Sequence, residues 1–236
     1  MSMSALLVDI DNTVYAYGPC HEAGLREAWR SLQALPTVWS SEDSFRESYA
    51  HARGVVKSRV GLQAAAHSRL LYFKEMLEQG YSVSRLDQAV ALSDSYWRGF
   101  AACMQPDPDC LDVLRECKRT MSIAWVSNYT TKRQIWKLGL LGLSETANYL
   151  VTSEEAGAEK PDPRPFRLAL EKLRLNAETV FAVGDSYAED VLAARACGMD
   201  CAWLLRDQAA TQSVESVFPV RSWKELRKVL YERRSN

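Results

Sequence analysis

Short apolar runs separated by amphipathic stretches leave this chain few possible architectures. Five runs read as strands: Ala5 to Val8, Met121 to Val126, Tyr149 to Val151, Val180 to Val183 and Cys201 to Leu205. Most are continuous rather than alternating in polarity. That is the pattern of strands buried on both faces, and it predicts a parallel sheet with helices on either side. Helical stretches stand where the crossovers must be. Asp109 to Lys118 precedes the second run and Thr131 to Leu138 follows it; Pro163 to Arg174 precedes the fourth, and Tyr187 to Cys197 follows that one before Gly198 supplies a stop. The expected fold class is α/β.

Between the first and second runs lies a stretch of about a hundred residues, far longer than an ordinary βαβ crossover. Its periodicity is helical. Leu25, Ala28, Trp29, Leu32 and Leu35 form one stripe; Phe45, Tyr49, Ala52, Val56 and Val60 a second; Leu62, Ala66, Leu70, Phe73 and Leu77 a third; Leu86, Ala89, Val90, Trp97 and Phe100 a fourth. Steps of three and four put each set on one face, so four helices can share a small core. The division expected is a catalytic core of residues 1–17 and 105–236 with a helical cap of residues 18–104. Its joints fall at Tyr17 to Pro19 and Gln105 to Pro108, where Gly or Pro breaks the pattern.

Charge and cysteine content exclude several kinds of function. The 29 Lys and Arg nearly cancel the 30 Asp and Glu, so no global field draws the chain to a nucleic acid polymer or an acidic membrane. An anionic ligand must therefore be held by local groups. No run approaches the roughly 20 apolar residues of a membrane span, and the start, Met1 to Asp11, has no basic region, so a cytoplasmic location is expected. The six cysteines form no CxxC pair and have no histidine at zinc-finger spacing, and are expected to be buried reduced thiols.

Chemistry gathers at the strand ends. Asp9 and Asp11 follow the first run; on an extended segment, carboxylates two apart point the same way and repel unless a cation or proton intervenes. Ser127 and Asn128 end the second run, Lys160 follows the third, and Asp185 with Asp190 follows the fourth. Each position alone suits a turn, a cap or a surface charge. All of them, however, are expected just past the carboxyl ends of strands in the parallel sheet, which is where such sheets bind ligands.

In this order the residues resemble the four motifs of the haloacid dehalogenase (HAD) superfamily: Asp9 to Thr13, Ser127, Lys160, and Asp185 with Asp190. The resemblance spans the chain, helical insertion included. It implies a Rossmann-like parallel core, with Asp9 as nucleophile, Asp11 as general acid and base, and Ser127, Asn128 and Lys160 holding phosphoryl oxygens. Asp185 would be a Mg²⁺ ligand, with Asp190 supporting from behind. Magnesium suits the hard oxygen donors, one carboxylate oxygen each from Asp9 and Asp185 plus the Asp11 main-chain carbonyl. Asp11 must be protonated to neutralise a leaving alkoxide and then take a proton from water, which asks for a raised pKa.

Halide needs no proton, so Asp11 favours a phosphatase over a dehalogenase. The expected enzyme is a Mg²⁺-dependent phosphoric monoester hydrolase acting on a small organic phosphate, as a monomer or homodimer. Alternatives are a pyrimidine nucleoside 5'-monophosphatase, suggested by the similar opening Asp9 to Tyr15, a phosphomutase, a 2-haloacid dehalogenase, or a binding protein without turnover. In the cap, Arg53, Lys57 and Arg59 form a basic cluster, with Gly54 expected to interrupt the helix. Arg53 and Lys57 are candidates for substrate selection against the commoner solvated helix face.

Overall fold

The computed structural model describes residues 3–34, 36–206 and 215–235. It contains one six-stranded sheet built from β1 (Ala5–Val8), β2 (Ser122–Ser127), β3 (Tyr149–Thr152), β4 (Val180–Gly184), β5 (Asp200–Leu204) and β6 (Val217–Val220). Neighbouring strands all run parallel, in the order β3-β2-β1-β4-β5-β6. β1 and β4 are buried along their whole length, as strands covered on both faces must be. The chain steps outward from β1 to β3, returns to the other side of β1 as β4, and then steps away again. That reversal opens a crevice at the carboxyl ends of β1 and β4.

β6 was not expected from the sequence. Val217, Phe218, Pro219 and Val220 include a proline, which argues against a central strand but is tolerated here because β6 is the edge of the sheet.

The chain divides into two compact units, Met1–Ala16 with Gln105–Asn236, and Tyr17–Met104. The second unit consists of α1 (Tyr17–Leu32), α2 (Glu42–Val60), α3 (Arg69–Tyr81) and α4 (Leu86–Cys103). Tyr17 to Pro19, expected as a joint, is the first turn of α1, where proline's missing N–H would have lacked a helical partner anyway. α2 runs through Gly54 without a break and starts from a capping box between Ser41 and Ser44.

The first two stripes lie where expected, with Leu25, Ala28, Trp29 and Leu32, and then Phe45, Tyr49, Ala52 and Val56, all buried; Leu35 falls outside the described residues. The other two stripes need correction. Leu62, Leu70, Leu86 and Val90 are exposed, and the third helix begins only at Arg69, after a 3-10 turn at Ala64–His67. Aromatic rings fill the interior: Tyr49 lies 5.1 Å from Phe73, and Tyr96 5.8 Å from Phe100. α1 and α4 approach closely because each presents a glycine. A Cβ at Gly24 would stand 2.8 Å from the Tyr96 ring, and one at Gly99 would stand 2.5 Å from the Ala23 carbonyl oxygen.

The sheet unit carries α5 (Cys110–Lys118), α6 (Thr131–Leu140), α7 (Ser153–Ala156), α8 (Arg164–Leu173), α9 (Leu192–Ala196) and α10 (Trp223–Ser235). The helix expected at Tyr187 to Cys197 opens with a wide π turn at Tyr187–Val191 before α9. Trp223 of α10 is fully buried and donates its indole N–H to the Thr13 carbonyl at 3.1 Å, anchoring the loop after β1. Cys20, Cys110, Cys117 and Cys201 are buried thiols, Cys103 and Cys197 partly so. Among the described residues, no helix is long and apolar enough to cross a membrane.

Candidate active site

The chain turns immediately after β1. The amides of Thr13 and Val14 donate to the Ile10 carbonyl at 3.3 and 3.1 Å, and Asn12 takes a left-handed conformation at φ 61°. The turn thus starts at Asp11, and the two carboxylates go to different partners. Asp9 is buried; its Oδ1 accepts from Lys160 Nζ at 2.6 Å and its Oδ2 from Thr13 Oγ1 at 2.9 Å.

Asp11 faces the helix after β2. Lys137 Nζ donates to both its oxygens, at 2.6 and 2.8 Å, Gln134 Nε2 to Oδ2 at 2.9 Å, and the Tyr15 hydroxyl to Oδ1. Burial works upward on the Asp11 carboxyl, but Lys137, Tyr15 and Gln134 together hold it below the usual carboxylate range. This corrects the expectation of a raised pKa. The cause is a buried lysine from α6 that the motif pattern does not include.

Lys160 is enclosed. Its ammonium donates to Asp9 Oδ1, to Asp190 Oδ1 at 2.5 Å and to the Val126 carbonyl at 3.1 Å, which uses all three protons. Burial pushes its pKa down, but Asp190 and Asp9 outweigh that and leave it raised. Asp190 is fixed by a second bond, its Oδ2 accepting from the Ser186 amide at 3.0 Å. Asp185 accepts from Asn12 Nδ2 at 2.7 Å.

Asp9, Asp185 and Asp190 can each bring one oxygen within 4.8 Å of the others. The Asp11 carboxylate is outside that group. Burial first, and then neighbouring carboxylates, raise Asp9 to about 7 and Asp185 to about 6, and Asp190 is raised as well. Three carboxylates thus face one ammonium. An all-oxygen donor set with this excess of negative charge fits a hard divalent cation such as Mg²⁺, with Asp9 and Asp185 flanking the point where strand order reverses.

Ser127 and Asn128 end β2 as expected, and both are buried. Ser127 Oγ accepts from Gln134 Nε2 at 2.7 Å. The Asn128 side chain is engaged at both ends, with Oδ1 accepting from the Lys160 amide at 2.8 Å and Nδ2 donating to the Lys160 carbonyl at 3.2 Å and to Glu189 at 3.1 Å. The expected phosphate ligand is therefore, through its side chain, a strut that sets Lys160 beside Asp9.

Sequence reasoning missed Gln134 and Lys137. Both are buried on α6 and share a face with Leu138, at steps of three and four. A lysine on the apolar stripe of an amphipathic helix was the available signal. Arg53 lies exposed on α2 and Lys57 is half-buried there, while Arg59 pairs with Glu75 of α3 at 2.9 Å. The expected basic cluster is thus partly an ordinary surface ion pair.

Comparison with known proteins gives a consistent result. The family model for haloacid dehalogenase-like hydrolases matches residues 3–198. The ribulose-1,5-bisphosphate 5-phosphatase of Halopiger xanaduensis is 39% identical over 198 residues, covering 84% of this chain and 82% of that protein. The glyceraldehyde 3-phosphate phosphatase of Methanopyrus kandleri is 28% identical over 200 residues, covering 84% and 82%. Among solved structures, YfnB of Bacillus subtilis, crystallised with bound magnesium, superimposes with a TM-score of 0.74 at 20% identity, covering 98% of this chain and 99% of that one.

Proposed function

The chain belongs to the haloacid dehalogenase-like hydrolases, and from that membership we propose that it is a phosphatase for a small organic phosphate monoester. The observation that carries the proposal is the pairing of a buried Asp9 with Lys160 and a cluster of carboxylates at the crevice. The similarity to phosphatases of two sugar phosphates supports the same substrate class.

In this reading an oxygen of Asp9 attacks phosphorus and the alkoxide leaves, giving an aspartyl phosphate. Asp11 gives a proton to the leaving oxygen and then removes one from the water that attacks the intermediate, which frees phosphate and restores Asp9. Held as an anion by Lys137, Asp11 is set up for the second of these tasks. Lys160 keeps Asp9 oriented and adds positive charge where the phosphoryl oxygens gather, and Ser127 offers a hydroxyl. Asp9 and Asp185, with the Asp11 main-chain carbonyl, would hold Mg²⁺, which neutralises phosphoryl charge when bound.

The same proposal includes a cap formed by the four-helix unit, with Arg53 and Lys57 selecting substrate, and a cytoplasmic monomer or homodimer. Phosphate release from sugar phosphates, nucleotides and short acid phosphates, measured with Mg²⁺ and with excess chelator, tests it. Turnover is expected only with the metal, and full activity in chelator would overturn the magnesium assignment. Replacing Arg53 or Lys57 with Ala is expected to impair a large anionic substrate more than a small aryl phosphate. Equal losses would return both residues to the solvated surface.

A further inference from the structure

We propose that Lys137 is a positioning residue for the hydrolytic half of the reaction, holding the Asp11 carboxylate in the orientation from which it takes a proton from water. The inference rests on the phosphatase reading above.

A carboxylate on a turn can rotate about two bonds, and Asp11 is only partly buried. Four donors fix it. Lys137 supplies two of the hydrogen bonds, one to each oxygen, and so defines the plane of the carboxylate as well as its place. Lys137 is itself placed by burial, with its ammonium 5.5 Å from the centre of the Tyr129 ring. Gln134, one turn earlier on α6, ties the same carboxylate to Ser127 Oγ and to the Asn128 carbonyl, both at the end of β2. α6 thereby connects the proposed proton acceptor to the proposed phosphoryl-binding strand end. The hydrogen bonds that hold Asp9 come from elsewhere, from Lys160 and Thr13.

The two chemical steps therefore depend on Lys137 unequally. Attack by Asp9 on an ester whose leaving group departs without a proton does not need an oriented Asp11. Cleavage of the aspartyl phosphate by water does, because the O–H bond of water must break towards a base at a fixed place, and misplacing such a group costs up to about 100-fold.

The test uses the full chain with Mg²⁺ and 4-nitrophenyl phosphate, comparing wild type with Lys137→Met, Lys137→Gln and Lys137→Arg, each checked for folding by circular dichroism. For Lys137→Met, kcat is expected to fall roughly 10- to 100-fold while kcat/KM, which ends at the first irreversible step, stays within about threefold. Rapid mixing should then show a burst of up to one equivalent of nitrophenol per enzyme, and acid quenching should trap phosphate on the protein. Lys137→Arg is expected to recover part of kcat. If Lys137→Met does not fold, Lys137→Gln, which keeps an uncharged N–H donor group, is expected to show the same split in weaker form. A parallel fall in kcat and kcat/KM without a burst, or no change in either, would overturn the inference. A wild-type protein that releases no nitrophenol would overturn the phosphatase reading itself.

Discussion

Asp9 receives one hydrogen bond on each oxygen, from Lys160 and from Thr13; in an amide of the same shape the remaining oxygen can still accept from Lys160, while the NH2 group donates to the Thr13 hydroxyl, which has Asp185 Oδ1 at 3.4 Å as another acceptor. In Asp9→Asn the Lys160 ammonium keeps Asp190 and the Val126 carbonyl as partners, which leaves the buried charge compensated. The folded protein is expected to lose turnover by roughly three orders of magnitude or more, because the attacking oxygen anion is gone. A folded Asp9→Asn protein with retained turnover would mean that Asp9 is not the nucleophile. At this scale the sequence is informative where residues sit directly at strand ends, since Asp9, Ser127 and Asp185 come at the ends of runs that are unmistakable as strands; Lys160 does not sit at the end of β3 but follows it across α7. It is uninformative about Gln134 and Lys137, which stand 7 and 10 residues beyond Ser127 and reach the site only because α6 packs beside β3 and α7 and brings Gln134 to the end of β2. For the same reason the direction of the Asp11 shift could not be read. It depends on a lysine 126 residues away in the chain.

The π turn after β4 shows how an element can be legible in kind and wrong in detail. A helix start was readable from Asp185, Ser186 and the later Gly198, but the wide turn depends on the Ser186 carbonyl accepting from both the Asp190 and Val191 amides, at 2.8 and 3.2 Å. That turn brings Asp190 back over the end of β4, where a Cβ on Gly184 would stand 2.3 Å from the Asp190 carboxyl. The carboxyl cannot yield, being tied to Lys160 and to the Ser186 amide. Gly184→Ala is therefore expected to destabilise by roughly 1–3 kcal/mol and to lower turnover at least about tenfold, as overpacking displaces Asp190 and loosens Lys160. Chemical denaturation and steady-state rates on the same preparation check both, and unchanged values would mean that the strand end adapts freely. In the four-helix unit, His21 lies among Tyr17, Tyr49 and Tyr96, with Nδ1 2.7 Å from the Tyr96 hydroxyl. Burial, and then the charge of Arg69, lower its pKa from 6.5 to about 4. The unfolded chain thus binds the extra proton first, and the stability His21 contributes above pH 6.5 is lost as pH falls towards 4. Discounted for partial exposure, the loss is on the order of 1–2 kcal/mol. Denaturation midpoints across that range should rise more steeply with pH in the wild type than in His21→Gln, the difference separating His21 from the opposite trend of Asp9 and Asp185; equal slopes would remove His21 as a source.

For the whole molecule, the two compact units meet different physical demands, and the carboxylate cluster belongs entirely to the unit built on the sheet. The sequence shows that two units exist, because no ordinary crossover needs a hundred residues, and it shows the helical character of the insertion. It does not show β6 or α10, because a proline masks the edge strand and α10 follows the last recognisable motif. Both matter to the site: α10 carries Trp223 onto the Thr13 carbonyl, and Arg206, following β5, donates to the carbonyls of Asn12 and Thr13. The loop after β1 is thus held from the far side of the sheet while its carboxylates repel one another. A cation that binds this folded arrangement and not the unfolded chain must stabilise the protein, by about 2.7 kcal/mol when its concentration is 100 times its dissociation constant. For a chain of this size the melting temperature should then rise by roughly 5–10 °C between chelator and saturating Mg²⁺. Asp185→Asn, which removes one ligand charge while Asp9 and Asp190 remain, should flatten most of that rise. Hydrogen exchange should locate the added protection around residues 9–13 and 184–190 rather than in the four-helix unit. A melting temperature indifferent to Mg²⁺ in the wild type, or a rise that persists unchanged in Asp185→Asn, would mean that the three carboxylates are compensated by Lys160 and protons alone.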